Sequence, residues 1–538
     1  MRTAVALSAW APLRRPTFRA LWIAQFGANT GTWVQTVGAQ WLMGDLGGRA
    51  LQIALVQTAM TLPVFLLVVP AGALGDIVDR RRLLLCGQTA MFVGSGALAV
   101  LTAERVTTPA LLLGLTALMG IGDALCVPSF QAIQPELVSR AEIPQAALLN
   151  GANANVARAV GPALGGALIA LIGPAVTFAF NTLSFLGVLL VLYQWRRPTD
   201  HHPLGPEHVL GATRAGARYI RSAPRFAAVL ARSMLFMLFA SGLWALLPAL
   251  ARGPLALAAD AYGLLLASVG AGAVVGIVVV PRLRDQLGSA TLSTAGMVVF
   301  AGAMFVIGVV ESVPAVVTAL VVVGLAWIGV QSTLNAVAQI LLPAWTRARA
   351  LAYYQLVFMG GQALGAVGWG VLADAAGLRT AFVAPALGML VGALVSVRAL
   401  PLPKVRPDLK TVHYWPEPTG RSRLSSGAGP VLIIVEWRVD EANASLFVAA
   451  MQHLERSRRR TGATLWGLFQ DTEEPTLFVE TFIVATWHEH LRQHVERATA
   501  LDRELEEIAR KLTIDGQPAQ VRHAVWAESV IRVRSNPR

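Results

Sequence analysis

Residues 72–85 read GALGDIVDRRRLLL and set five charges between two long apolar runs. Upstream, residues 51–71 are LQIALVQTAMTLPVFLLVVPA; downstream, residues 83–101 are LLLCGQTAMFVGSGALAVL. At about 1.5 Å per helical residue, each run is long enough to cross a hydrocarbon core of roughly 30 Å. Neither run alternates polar with apolar residues, as the strands of a membrane barrel must. The stretch reads as a short charged turn between two helical membrane crossings.

The pattern recurs. The chain has 538 residues, 55% hydrophobic and only 14% charged, outside the range of an ordinary soluble domain. Twelve apolar segments are expected, at about 19–43, 51–75, 83–103, 108–131, 145–172, 174–194, 226–251, 261–281, 289–310, 314–341, 350–373 and 378–398. The N-terminus and every second loop hold nineteen arginines, whereas the alternate loops hold four, Arg49, Arg105, Arg252 and Arg379. Basic loops face the cytoplasm, which puts both termini there. Up to residue 400 there are 25 basic and 13 acidic residues, and beyond it 19 and 18. Nearly all of the net charge of +13 therefore belongs to the membrane part and does not indicate nucleic acid. Cys86 and Cys126 both lie in apolar runs, so no disulfide framework follows. The opening MRTAVALSAWAPLRRPTFRALW lacks a signal-peptide layout, and the first span is expected to remain as an anchor.

The longest polar break in the membrane part follows the sixth segment and divides twelve into six and six. The halves echo one another: PTFRALWIAQ from Pro16 pairs with PRFAAVLARS from Pro224, and GPALGGALIALIG from Gly161 with GAVGWGVLADAAG from Gly365. GALGDIVD from Gly72 pairs loosely with PRLRDQLG from Pro281, which aligns Asp76 with Asp285. Such repeats imply two six-helix bundles related by an axis along the membrane normal, with a substrate site between them. The expected organisation is a bundle at 1–195, a cytoplasmic loop at 196–225, a second bundle at 226–400, a linker at 401–428 and a soluble domain at 429–527.

The charged turn resembles the signature loop of the major facilitator superfamily, through Gly72, Asp76, Arg80 and Arg81. It departs from that signature at Ile77, where a basic residue is usual, and at Asp79, where glycine is usual. The resemblance implies a gating loop that latches the two bundles at their inner face. GPALGG, with Gly161, Pro162, Gly165 and Gly166, resembles the core of the fifth-span motif of exporters; Leu148 and Ala157 stand where its upstream glycines belong. Small residues there let helix backbones approach closely. The fourth-span signature is absent, with Thr116 in place of its arginine, so the coupling scheme of drug exporters that rely on it does not carry over. QAIQPELVSRAEIPQA, NVARAVGPALGG and FNTLSF resemble the transmembrane secretion effector branch, which includes enterobactin exporter-like proteins. The resemblance covers about residues 12–400. It implies export from a bacterial cytoplasm across the inner membrane by alternating access, with siderophores, antibiotics or other secondary metabolites as cargo.

Two ionisable residues lie deep in spans, Asp123 and Arg158, at a cost of about 2.5–3.5 kcal/mol each on insertion scales. Residues retained at that cost face a cavity, a partner or a substrate. Asp123 is the candidate proton carrier; Arg158 is the candidate partner for it or for an anionic substrate. Gln25, Asn29, Trp33, Asn155, Asn181, Gln331, Asn335 and Gln362 are candidates for the substrate path, and many such groups serve only as interhelical hydrogen bonders. No dense ring of charge appears, which favours large, mainly apolar substrates.

Beyond the linker, the order β-α-β-β-α-β suggests a small α+β domain of ferredoxin-like type, and it resembles dimeric α+β-barrel domains, with dimerisation as one implied role. His488, His490 and His494 are read as a solvated helix face rather than a metal site. No cofactor is expected: there is no Walker sequence and no nucleophile constellation. The sequence thus points to a secondary exporter of small hydrophobic or amphipathic molecules, coupled to protons. Two rivals stay open: a membrane-tethered enzyme working through the tail, and an importer.

Overall fold

The structure, a computed structural model, describes residues 10–139, 142–195, 219–343, 345–403, 408–415, 427–514 and 520–527; of Gly72, Asp76 and Asn155 it describes the backbone only. Most of the expected central loop and the middle of the linker lie outside the described residues. The apolar segments are helical: α1 (Pro16–Asp45), α2 (Ala50–Ile77), α3 (Arg80–Ala103), α4 (Pro109–Leu137), α5 (Ile143–Leu171), α6 (Pro174–Gln194), α7 (Pro224–Arg252), α8 (Ala259–Val309), α9 (Val313–Ile340) and α10 (Arg347–Ala399). α8 and α10 are each two helices run together, broken at Gly288 (φ 76°, ψ 159°) and Gly377 (φ 83°, ψ 161°). That backbone region is essentially reserved for glycine. Gly173 makes the matching break between α5 and α6 at φ 114°, so the repeat 173/377 is a repeat of backbone geometry.

Among the described residues, nine helices are long and apolar enough to cross a membrane, and those in α8 and α10 run to 49 and 50 residues. α1 is not one of them, diluted by Gln25, Asn29, Gln35 and Gln40. Outward-facing Leu183, Val278 and Val391 are 69%, 58% and 60% exposed, a surface that suits lipid rather than water.

The charged turn shows why Asp79 stands where the signature has glycine. It is the N-cap of α3, and its Oδ1 accepts from the Arg82 backbone N–H at 3.1 Å. Arg81 donates to the carbonyls of Leu192 (2.8 Å) and Tyr193 (2.7 Å), capping the C-terminal end of α6. Arg80 pairs with Glu136 of α4 at 3.2 Å. These bonds tie the start of α3 to α4 and α6.

The chain divides into two compact units: Met1–Val209, Val229–Val337 and Ala352–Lys404 form one; Leu210–Ala228, Ala338–Leu351 and Val405–Arg538 form the other. Within the first, glycine sets the closest helix crossings. A Cβ on Gly161 would lie 2.5 Å from the Trp33 Cβ, and one on Gly165 would lie 3.0 Å from the Val34 carbonyl, so these two seat α5 on α1. A Cβ on Gly166 would collide with the Cα of Gly263 in α8, across the two halves. Its repeat counterpart, Gly370 in α10, meets Leu51 and Ala54 of α2, where a Cβ would come within 2.9 Å.

In the second unit, four antiparallel strands, β1 (Val431–Arg438), β2 (Ala463–Gln470), β3 (Leu477–Val484) and β4 (Gln520–Val525), lie in the order β2-β3-β1-β4. Val431, Ile433, Val435 and Trp437 alternate inward from β1 onto Phe447, Met451 and Leu454 of α11 (Ala444–Thr461). The second helix of the expected β-α-β-β-α-β order is instead two, α12 (Trp487–Arg492) with a π turn at Gln493–Arg497, and α13 (Ala500–Arg510). The break is a capping box: Thr499 accepts from the Asp502 N–H, and Asp502 accepts from the Thr499 N–H at 2.9 Å. Residues 408–415, within the segment read as linker, lie along this break, with Thr411 bridged to Thr499 and Trp415 donating to Glu506 at 2.9 Å. The expected solvated histidine face is not observed. His490 is 1% exposed, and burial holds its pKa down to about 4. Arg458 is buried against Glu480 (2.9 Å) and Glu506 (3.0 Å), and Glu480 also accepts from the indoles of Trp437 and Trp466.

Two outcomes follow from these contacts. Gly166→Leu should abolish transport by separating α5 from α8, and a bulkier residue at Gly263 should do the same, whereas Gly302→Leu, which meets no neighbour, should be tolerated. Glu480→Ala leaves the Arg458 charge buried with one partner fewer. It should destabilise the tail by about 3–5 kcal/mol, read by thermal or denaturant unfolding of the full chain.

Candidate functional site

A cavity of 510 Å³ lies within the first unit, walled by α1, α2, α4 and α5 on one side and by α7 to α10 on the other. It runs from Gln40 of α1 toward Phe18, near the start of that helix, and reaches Leu137 at the end of α4. At that end Phe18, in the first turn of α1, and Leu137, the last residue of α4, line it.

The other end is shut by contacts between the halves. Arg252, the last residue of α7, pairs with Asp45 of α1 at 2.6 Å, and its guanidinium lies 3.9 Å above the Trp41 ring. Trp41 stacks on Tyr262 of α8 at 5.6 Å, and Gln40 donates to the Trp244 carbonyl at 3.2 Å. A Cβ on Gly44 would lie 2.9 Å from Arg252 Nε, so that glycine makes room for the arginine. Half-exposed ion pairs contribute little singly, about 0–1 kcal/mol, but this one is reinforced by stacking.

Of the residues singled out in the sequence, Gln25, Asn29, Trp33, Asp123, Arg158, Pro162 and Gln362 line the cavity. Gln25 donates to Asn29 (3.1 Å), Asn29 to Asn153 (2.9 Å), and Asn153 to the Trp22 carbonyl (2.9 Å), a polar ladder joining α1 to α5. Asn181 sits elsewhere, donating to Gln35 at 2.7 Å in a buried knot with Ser95 that holds α1, α3 and α6 together. Gln331 donates to the Tyr354 hydroxyl at 3.3 Å, and Asn335 is exposed. The side chains of Asp76 and Asn155, like Gly72, lie outside the description.

Asp123 and Arg158 face the same cavity, yet among the described residues no ion pair joins them. Arg158 is held by aromatic rings instead: its Cζ lies 5.6 Å from the Trp33 ring of α1 and 5.8 Å from the Trp327 ring of α9. One cation thus contacts both halves. Trp244 meets Trp33 at 6.3 Å and Trp327 at 5.3 Å, completing an aromatic wall. Arg158 Nε, Trp244 Nε1 and Trp327 Nε1 are buried donors with no acceptor. The Gln25 Oε1 in the same cavity is likewise without a partner, so the wall offers both donors and an acceptor to a guest. Trp327, Tyr262 and Asp45 were not picked from the sequence. Nothing in their local pattern separates them from packing residues, because their meaning comes from the facing half.

A family model for transmembrane secretion effectors matches residues 7–530. The chain belongs to the transmembrane secretion effector family. This secretion effector is 28% identical over 402 residues to the multidrug efflux pump Tap of Mycolicibacterium fortuitum, covering 71% of the chain and 95% of that relative. It is 26% identical over 304 residues to the enterobactin exporter EntS of Citrobacter koseri, covering 56% and 70%. A match to the staphyloferrin A transporter of Staphylococcus aureus, 30% identical over 164 residues, spans 30% of the chain and 41% of that relative. Among solved structures, the nucleoside transporter NupG superposes with a TM-score of 0.59 at 12% identity, over 71% of this chain and 99% of that one. A bacterial homologue of the iron transporter ferroportin in an inward-facing state gives 0.57 at 15% identity, over 71% and 98%. These likenesses establish the fold of the major facilitator superfamily. The secretion effector is a multi-pass membrane protein and a secondary transporter that exports small molecules, not an enzyme.

The closed end of the cavity supplies a test. In a background of Cys86→Ser and Cys126→Ser, an Asn29→Cys thiol should react with a membrane-impermeant maleimide from the face bearing the α1 N-terminus. Arg252→Ala should add labelling from the opposite face, and unchanged labelling would show that the Trp41–Arg252–Asp45 cluster does not hold that end shut.

Proposed function

We propose that this secretion effector exports amphipathic molecules carrying an aromatic or apolar body and an acidic or oxygen-rich head, by proton-coupled alternating access. Siderophores and antibiotics of that chemistry are the cargo class, in keeping with what its relatives are named for. The observation that carries the reading is Arg158, a buried cation with an unpaired donor, contacting Trp33 of one half and Trp327 of the other. A guest anion there competes for the cation that touches both halves, and a bound guest so biases the equilibrium between the two rocked states. Asp123, in the same cavity and without an ion pair to Arg158, is the proton carrier. Its charge and that of an anionic guest oppose each other, so protonation and cargo occupancy are linked through one chamber.

The wider architecture belongs to this reading. The twelve helical segments each cross the bilayer of a bacterial inner membrane, with both termini cytoplasmic, and the cavity opens inward. Support comes from the arginine asymmetry and from the two glycine breaks that split α8 and α10. The Gly72–Arg81 turn acts as the inner gating loop. The tail is a ferredoxin-like unit, supported by its β2-β3-β1-β4 order, and its pairing with a second copy is the role proposed for it. The division into two bundles, loop, linker and tail follows the same frame.

Everted membrane vesicles and fluorescein, an aromatic carboxylate, test the proposal. Wild-type vesicles should accumulate the dye when the lumen is acidified. Asp123→Asn should remove the response to acidification, and Arg158→Met should weaken apparent affinity roughly tenfold or more, the worth of one charge-assisted hydrogen bond. Accumulation equally responsive to the gradient in Asp123→Asn refutes the proton role, and unaltered affinity in Arg158→Met refutes the anion site.

A further inference from the structure

The tail holds a cluster that transport does not use. His490 on α12, His494 in the π turn and His523 on β4 each place one ring nitrogen within 4.8 Å of the other two. The Nε2 atoms of His490 and His494 are 3.2 Å apart. A tetrahedral ion with zinc–imidazole bonds of 2.0–2.1 Å has nitrogens about 3.3 Å apart, so this pair already stands at ligand spacing. His523 reaches the same spacing by a side-chain swing of about 1.5 Å or less.

The surroundings orient these rings. His490 Nδ1 lies 3.0 Å from Gln493 Oε1, and Gln493 in turn donates to the Thr461 hydroxyl at 3.3 Å. An Nδ1–H donated to Gln493 leaves the His490 Nε2 lone pair facing His494, the outer-sphere arrangement that aims a metal-bound imidazole. His523 Nε2 is buried with no hydrogen-bond partner. Trp415 stands edge-on to His494 at 4.8 Å and Trp487 to His523 at 5.9 Å, giving the cluster apolar walls. The neighbouring cation, Arg458, is already neutralised by Glu480 and Glu506.

We propose that His490, His494 and His523 form a three-histidine site for a divalent transition ion of the zinc class, with a fourth position open to water or a small ligand. Three imidazoles without carboxylate or thiolate select zinc, copper, nickel or cobalt over magnesium or calcium. The sequence held only half of this site in view. His490 and His494 share a helix face, but the third ligand arrives from a strand that pairs with β1, where His523 lies opposite Ile433. An ion there ties the edge strand β4 to α12.

The test uses the full-length protein in detergent without a histidine tag, titrated with zinc chloride by calorimetry and with cobalt(II) by visible absorption. The expected result is stoichiometric zinc uptake, and a cobalt spectrum of tetrahedral type. His490→Ala, His494→Ala and His523→Ala should each weaken binding at least roughly tenfold, as loss of a ligand or of its orienting partner does. His453→Ala, on an exposed position of α11, should leave it unchanged. His523→Cys should restore zinc binding and add a sulfur-to-cobalt charge-transfer band, which separates loss of a ligand from loss of the fold. Absence of stoichiometric zinc uptake, or uptake indifferent to all three substitutions, overturns the proposal.

Discussion

Two close crossings that only glycine permits constrain the helical unit. Gly166 lies against Gly263, and Gly370 lies against Leu51 and Ala54, each time joining a helix of one half to a helix of the other. In lipid, apolar side chains gain nothing by leaving the solvent, so close van der Waals contact has to supply the attraction. A single methyl group at either crossing removes that contact. The glycines at the two crossings, Gly166 and Gly370, occupy matching places in the sequence repeat.

The cavity is built for contrast. Its closed end is tied by neutral stacking plus one ion pair, Trp41 and Tyr262 with Arg252 and Asp45. Its middle carries a cation whose contacts among the described residues are aromatic faces. Arg158 over Trp33 and Trp327 gains from cation–π attraction and keeps its Nε unpaired at the cavity wall, which leaves a donor for a guest. The polar ladder from Gln25 to Asn153 passes one amide donor to the next and braces α1 against α5, though the Gln25 Oε1 at its end is left without a donor.

The tail follows soluble-protein rules. Alternation on β1 builds its core, a capping box at Thr499 ends one helix and starts the next, and Arg458 is admitted to the interior only because two carboxylates and their indole donors surround it. The chain around it is drawn in as well: Tyr219 stands edge-on to Trp345 at 5.9 Å, and Arg497 lies 5.0 Å above that same indole. Residues just before α7 and just before α10 therefore belong to the tail's unit rather than to the helical one.

Helix positions and the glycine breaks between them were legible in the sequence, because hydropathy over twenty residues and glycine at a break are local properties. So was the presence of Asp123 and Arg158 in oil, since burial of charge is costly wherever the side chain points. The partners were not legible. Arg158 was offered an aspartate and took two tryptophans, His490 was offered solvent and took two histidines, and Gly166 needed Gly263 almost a hundred residues away. Periodicity fixes which residues share a helix face, but which face of another helix meets them is decided by packing across elements far apart in the chain. That step belongs to the tertiary structure alone.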